Sequence, residues 1–435
     1  MPRSPFKLLD AYGRDDRALF FGRDEEIRDA RSRYHRGRIL VVYGESGAGK
    51  TSLVQCGLQN EIPDEDAEFY VVRSNVEPLE RALDVLDGGA SRAEGCLADS
   101  LHARAEELLQ TVVLVFDQFE EFFLFQPDRT RERFLRELAN ALRRKLDFKA
   151  IFVIREEYLA RMTEVERVVP EVLENRLWVR RMQAREAHAA IEGPCNASGV
   201  ALDGGFAGAV VERLRSARNE VDLPYLQVVM DRLWREAEKR GAPLGLRQSD
   251  LAAVGGMGEI LSAFLEEQIR AVEHPEFAKL VASVQVPFDG SFDPAMARER
   301  LVQEALKCFV TAARPRKPAA AARVADEIAA RWIGLPAKYV HALLLRLVEL
   351  RILRQETEGA PFELRHDALA EAVSRWLTPM DEERLRVRTL VENRYAEFAA
   401  GGPLIESREL LAQIEPYVPR LGLPQETVAF LALCK

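Results

Sequence analysis

Nine consecutive residues, Gly44, Glu45, Ser46, Gly47, Ala48, Gly49, Lys50, Thr51 and Ser52, follow directly on the apolar run Ile39-Leu40-Val41-Val42-Tyr43. A buried strand that feeds a glycine turn leading into a helix lines up backbone N–H groups at that helix N-terminus, where the dipole favours a polyphosphate. The glycines let the main chain approach the phosphates, Lys50 can reach the β- and γ-phosphates, and the Thr51 hydroxyl can ligate Mg²⁺. Thr51 to Leu58 reads as the first turns of the following helix. The chemistry implied is binding of a nucleoside triphosphate with its metal ion.

Two further strand ends carry groups that complete such a site. Val112 to Phe116 is apolar and closes on Asp117, the position at which nucleotide folds hold their second Mg²⁺ contact. Just beyond it, Glu120 and Glu121 can each orient or deprotonate an attacking water, and the sequence does not choose between them. Ile151 to Ile154 closes on Arg155, whose fork of donors would sense a γ-phosphate; the competing reading is a salt bridge to Glu156 or Glu157. Phe119, Phe122, Phe123 and Phe125 read as core. His366, in Leu364-Arg-His-Asp-Ala-Leu369, is a lone histidine to which spacing alone gives a structural role.

The elements that must position these residues fall into an order. Apolar runs near Ile39–Tyr43, Phe69–Val72, Thr111–Phe116, Ala150–Ile154 and Leu177–Val179 alternate with helical periodicity. Strands apolar throughout imply a five-stranded parallel sheet covered on both faces, with ligands at its carboxyl edge. The fold class is thus an α/β P-loop NTPase domain. After residue 185 strands nearly vanish. Leu226, Met230, Leu233 and Trp234 share a helical face after Pro224, which suits a first turn, and Gly241 is a stop. Past the Gly, Asp and Pro-rich stretch 288–294, helical runs at 301–311, 323–332 and 337–350 precede a hairpin of 352–355 and 362–365, the pattern of a winged helix. The expected organisation is a lead segment 1–19, a nucleotide-binding domain 20–185, a helical domain 186–285, a winged-helix domain 286–380 and a C-terminal helical segment 381–435.

A chain of 435 residues, 47% apolar and 30% charged, supports several cores. No apolar run approaches the ~18 residues of a membrane span, and the N-terminus lacks a signal-peptide pattern, so a cytoplasmic location and no membrane partner are expected. Five scattered cysteines without a Cys-x-x-Cys read as free thiols. The net charge of −9 disfavours nucleic acid.

Taken together, Phe20-Phe-Gly-Arg-Asp-Glu-Glu-Ile27, the phosphate loop, Val113 to Glu121, Ile154-Arg-Glu-Glu-Tyr158 and Arg365-His-Asp-Ala-Leu369 resemble the novel STAND NTPases. These are bacterial relatives of the nucleotide-switch proteins of innate immunity and apoptosis. The resemblance implies a slow, Mg²⁺-dependent ATPase that switches between ADP and ATP forms and self-associates with ATP, in bacterial signalling or antiphage defence. It implies that Phe21, Gly22 and Arg23 lie near the adenine, as does Pro224, and that His366 hydrogen-bonds the β-phosphate of ADP. The trigger and effector stay unassigned. Two other readings are a DNA-binding initiator-like ATPase, using Lys338, Arg346, Arg351 and Arg354 as a basic face, and a nucleotide-bound scaffold that never hydrolyses.

Overall fold

The computed structural model describes residues 4–73, 77–88, 96–144, 146–241, 244–253, 260–270, 272, 294–311, 318–330, 337–355, 359–399 and 401–434. They divide into two compact units, Met1–Met257 and Gly258–Lys435. Among them no helix is long and apolar enough to cross a membrane. All five cysteines are free thiols.

The first unit is built on five parallel strands: β1 (Ile39–Gly44), β2 (Ala67–Arg73), β3 (Thr111–Asp117), β4 (Phe148–Arg155) and β5 (Arg176–Trp178). Their order across the sheet is β2-β3-β4-β1-β5. Each observed strand lies within a few residues of its expected run; in the central β1, β3 and β4, burial of nearly every residue accounts for the unbroken apolar sequence. Along β3, Val112, Leu114 and Phe116 enter one core, while Val113 and Val115 enter the other. That period of two is the pleat distributing one apolar run to two layers. Helices α3 (Pro78–Leu86), α4 (Leu97–Leu108) and α6 (Asp128–Arg143) cover the first face; α1 (Asp24–Arg36) and the segment after the glycine loop cover the second. Phe119, Phe122 and Phe123, on or beside the short α5 (Glu120–Phe125), are buried in an aromatic cluster with Phe116 and Phe134. Phe125 is only half-buried.

The helix after the glycine loop begins as α2 (Lys50–Ser52) and continues over Leu53–Leu58 with wider, i→i+5 bonding, a rare arrangement found mostly at functional positions. Past α7 (Thr163–Glu166) and β5, the unit is mainly helical: α8 (Ala184–Ala197), α9 (Phe206–Leu214) and α10 (Leu223–Arg240). Two-residue ladders join 182–183 to 220–221 and 201–202 to 245–246. Pro224 sits in the first turn of α10, Leu226, Met230, Leu233 and Trp234 are buried on one face, and Gly241 ends the helix at φ 83°.

The second unit contains α11 (Ile260–Arg270), α12 (Pro294–Lys307), α13 (Ala321–Ala329) and α14 (Ala337–Glu349), then an antiparallel pair, β6 (Leu353–Gln355) and β7 (Phe362–Leu364). After it come α15 (Asp367–Ser374) and α16 (Pro379–Ala399), and three shorter helices close the chain. The stretch expected to link two domains at 288–293 lies outside the described residues. The first helical run starts earlier and ends earlier than its apolar pattern suggested. Lys307 is the last residue of α12, and its ammonium pairs with Glu304 at 2.8 Å and with buried Asp381 at 3.0 Å. Buried Arg388 of α16 pairs with Glu327 of α13 at 2.7 Å, so the C-terminal helices are fastened to this unit rather than appended to it.

Candidate functional site

The carboxyl edge of the sheet collects the charged residues that the sequence singled out. The ladders set Gly44 beside Arg155 and Arg73 beside Asp117. β1 leads into the loop Glu45 to Gly49, and Gly49, at φ 89°, caps α2. That conformation is one a residue with a Cβ rarely adopts, and a Cβ there would stand 3.1 Å from Leu223 Cδ1, so α10 begins directly over the loop. Lys50 is buried, and its Nζ donates to the carbonyls of Gly44 at 2.8 Å and Glu45 at 2.7 Å. The Thr51 hydroxyl donates to Asp117 Oδ1 at 2.9 Å. The two expected Mg²⁺ ligands therefore meet. Ser52 Oγ accepts from the Tyr12 N–H at 3.0 Å and ties the lead segment to the loop.

Asp117 is fully buried, and Glu120 and Glu121 nearly so. Their surroundings differ. Glu120 accepts from Arg155 twice, from Nε at 3.0 Å and from the backbone N–H at 3.2 Å. The ion pair of Arg155 is thus with Glu120, not with its sequence neighbours; Glu156 accepts instead from Trp178 Nε1 at 3.1 Å. Glu121 is the second residue of the short α5, its N–H closing on the Gln118 carbonyl at 2.9 Å. Gln118 itself has φ 56°, a left-handed turn that swings the chain off β3 immediately after Asp117. For a non-glycine residue that turn is strained, and such strain gathers at functional positions.

The Phe-Gly-Arg segment is wedged between the loop and α8. The ring of Phe21 lies against Gly193, where any Cβ would collide with it, and Gly22, at φ 79°, faces the Glu186 carbonyl with no room for a side chain. Arg23 is 2% exposed, and its guanidinium donates to the carbonyls of Ala48 at 2.7 Å and Arg180 at 3.0 Å and pairs with Glu26 at 2.6 Å. Arg23 braces the loop through Ala48.

Two arginines at this edge were missed by the sequence reading. Arg73 ends β2 with Nη2 4.0 Å from Asp117 Oδ2. Arg181, just past β5, bridges Glu45 at 2.5 Å and Asp222, the residue capping α10, at 2.8 Å. Burial works against its charge, but the hydrogen bond to Glu45 and the charges of Asp222 and Glu45 outweigh that and raise its pKa above the ordinary arginine value. The rule that pointed to Arg155, a charge at a strand's carboxyl end, would have flagged both.

In the second unit, His366 caps α15: Nδ1 accepts from the Ala368 N–H at 3.1 Å. An acceptor Nδ1 assigns the proton of the neutral ring to Nε2. Of the charges considered as a basic face, Arg346 pairs with Glu349 at 2.5 Å, Arg354 pairs with Glu363, and Lys338 lies over the Tyr339 ring. Among the described residues no group of three or more His, Cys, Asp or Glu could hold a metal ion.

A family model described as novel STAND NTPase 1 matches residues 5–402. No curated protein matches the sequence. Among solved structures, the chain is similar to a Walker-type ATPase of Pyrococcus abyssi, at 14% identity over 85% of this chain and 99% of that one, with a TM-score of 0.42. It is also similar to the ORC1 protein of Aeropyrum pernix in complex with DNA, at 16% identity over 83% and 94%, with a TM-score of 0.44. Domain III of the Thermotoga maritima replication initiation protein DnaA is similar at 17% identity over 54% and 92%, with a TM-score of 0.38.

Proposed function

The chain belongs to the novel STAND NTPase 1 family, and we propose that it is an ATP/ADP-binding molecular switch with slow, Mg²⁺-dependent hydrolysis that opens and self-associates with ATP. The observation that carries the nucleotide site is the Thr51–Asp117 contact at 2.9 Å beside a buried Lys50. A hydroxyl and a fully buried carboxylate at that separation are hard oxygen donors that fit Mg²⁺, and Thr51 and Asp117 would hold it. When bound, the ion neutralises charge across the β- and γ-phosphates.

The chain's own groups divide the remaining work. Lys50 turns from the carbonyls of Gly44 and Glu45 to the phosphates. Arg155, oriented by Glu120, meets the γ-phosphate. Glu121 takes the proton of the attacking water as the oxygen bonds to the γ-phosphorus and ADP leaves. Phe21, Gly22 and Pro224 border the base, with Arg23 holding the loop to that wall. Residues 20–185 act as the nucleotide-binding domain, 186–285 as a helical lid, 286–380 as a winged helix and 381–435 as its C-terminal brace.

With ADP, His366 donates from Nε2 to the β-phosphate and closes the resting form; with ATP that contact is lost. Reversing such an equilibrium takes about 5.5 kcal/mol of differential binding. One hydrogen bond to a charged group supplies roughly 1.5 to 3 kcal/mol. The lids must contribute the rest, and the bridge from Arg181 to Glu45 and Asp222, with Leu223 over Gly49, supports that reading for α10. The ion pairs of Arg346 and Arg354 engage two of the four charges considered for a duplex. Mass photometry of the full chain tests the switch: a single copy with ADP, larger assemblies with a slowly hydrolysed ATP analogue, and assembly with ADP in His366→Ala. Equal masses with both nucleotides would favour a scaffold and overturn the switch.

A further inference from the structure

The amino edge of the sheet carries a side chain that folding alone does not explain. α4 ends on Leu109, which takes φ 55° and ψ 36° and closes on the Ala105 carbonyl at 2.9 Å. That is the cap position where glycine is favoured and a branched side chain is strained. This leucine is also 87% exposed. Glu106 and Glu107 sit in the last helical turn, the end at which the dipole favours cations instead. Gln110 Nε2 donates to the Asp64 carbonyl at 2.5 Å and the Thr111 N–H to the Asp66 carbonyl at 3.0 Å, which brings the acidic loop 64–66 alongside. The basic side chains nearby have local partners: Arg104 pairs with Glu107 and Arg14 with Asp64, and His102 Nε2 lies 3.4 Å from Glu106. Glu65 and Asp66 are exposed and, among the described residues, form no ion pair.

The same unit presents the complementary surface. Between α6 and residues 160–168 runs a groove of about 780 Å³. Leu135 and Ala139 line its buried side, and Val168, 43% exposed, adds to the apolar lining. Arg136, Arg143 and Arg167 stand along it, exposed and, among the described residues, in no ion pair. Of the acidic residues that line it, Asp128 and Glu164 are both held by Arg131, at 2.6 and 2.7 Å, which leaves Glu132 as the opposing charge.

We propose that Leu109 with its acidic collar docks into this groove on a second copy of the chain. An exposed apolar knob ringed by carboxylates matches an apolar channel edged by arginines in both shape class and charge. Joining unlike surfaces, the contact either is exchanged reciprocally and closes a two-fold dimer or repeats head to tail into a ring or filament. This rests on the ATP-dependent self-association proposed above and names the surfaces that carry it.

The test uses full-length protein with a slowly hydrolysed ATP analogue, followed by mass photometry. Reversing the groove (Arg136→Glu with Arg143→Glu) or the knob (Glu65→Lys with Glu106→Lys) should each weaken association at least ten-fold. Mixing the two reversed proteins should restore it, because each then offers the other a matched pair. Leu109→Gly should raise the melting temperature of the single copy while weakening assembly, a pairing that a purely structural leucine would not produce. If wild type assembles and the reversed variants do so equally well, these surfaces are wrong and the switch stands. Variants that fail to assemble and do not recover on mixing also overturn the contact. Wild type that stays single with either nucleotide removes both readings.

Discussion

Glu120 and Glu121 are adjacent and equally buried, yet only one of them is bonded through both oxygens to Arg155. That contact supports the proposed division of roles, with Glu121 as the base and Glu120 as the partner of Arg155. Glu121→Gln should keep ATP affinity and slow phosphate release in single turnover by roughly 10²- to 10⁴-fold, the usual worth of a general base. Glu120→Gln should instead loosen Arg155, reduce the preference for ATP over ADP, and destabilise the fold by up to about 3 kcal/mol, because it breaks a largely buried pair from one side. Normal hydrolysis in Glu121→Gln with none in Glu120→Gln would reverse the assignment. Arg181→Ala makes a third case: it cuts the tie from Glu45 to the cap of α10, so ADP should leave several-fold faster in stopped-flow displacement, and an unchanged rate would deny α10 its role as a lid. The glycine loop was legible because its chemistry is local. Arg73 and Arg181 could have been flagged by the same strand-end rule as Arg155, but their partners on other strands and helices are visible only in the fold.

At the scale of elements, all five strands could be located from sequence: the central β1, β3 and β4 are buried almost throughout, while the edge strands β2 and β5 are only partly buried yet still lie on apolar runs. Their order could not: strands apolar throughout are interchangeable to a pattern reader, and only packing places β1 between β4 and β5. Helix junctions hid similar information. Gly193 lies inside α8, where alanine would normally gain about 1 kcal/mol from helix propensity. Here a Cβ collides with the Phe21 ring, and overpacking typically costs 1–3 kcal/mol. The clash should win, so Gly193→Ala is expected to lower the urea midpoint at unchanged slope, and to bind nucleotide more weakly because Phe21 is displaced. A higher midpoint would mean that the ring yields without cost. In the second unit, Asp381 ties the start of α16 to the end of α12. Burial favours its neutral form, yet hydrogen bonds from the Thr378 backbone and Lys307 and the charge of Arg384 hold its pKa below the ordinary carboxylate value. A depressed carboxylate adds stability above its unfolded pKa and loses it as pH falls through the lowered folded one. The stability that Asp381 contributes should therefore be lost only in acid below the normal carboxylate range, and Lys307→Met should shift that loss to higher pH in a denaturation series.

For the whole molecule, two units with separate cores predict two unfolding transitions rather than one. The family could be read from the order of its motifs along the chain, but no spacing in the sequence says whether His366 in the second unit takes part in binding at the loop in the first. Calorimetry with ligand addresses that coupling. A ligand at a hundred times its Kd stabilises whatever it contacts by about 2.7 kcal/mol. If ADP is held by the first unit alone, only that transition rises. If His366 completes the site, unfolding the second unit also discards binding energy, and both transitions must climb together. His366→Ala should then return the second transition to its ligand-free temperature while leaving most of the gain in the first, and Lys50→Ala should abolish both gains by removing nucleotide affinity. A wild-type second transition that ADP leaves in place would show that the histidine caps its own helix and nothing more, and the resting state would need another latch, for which the Arg181 bridge is the next place to look.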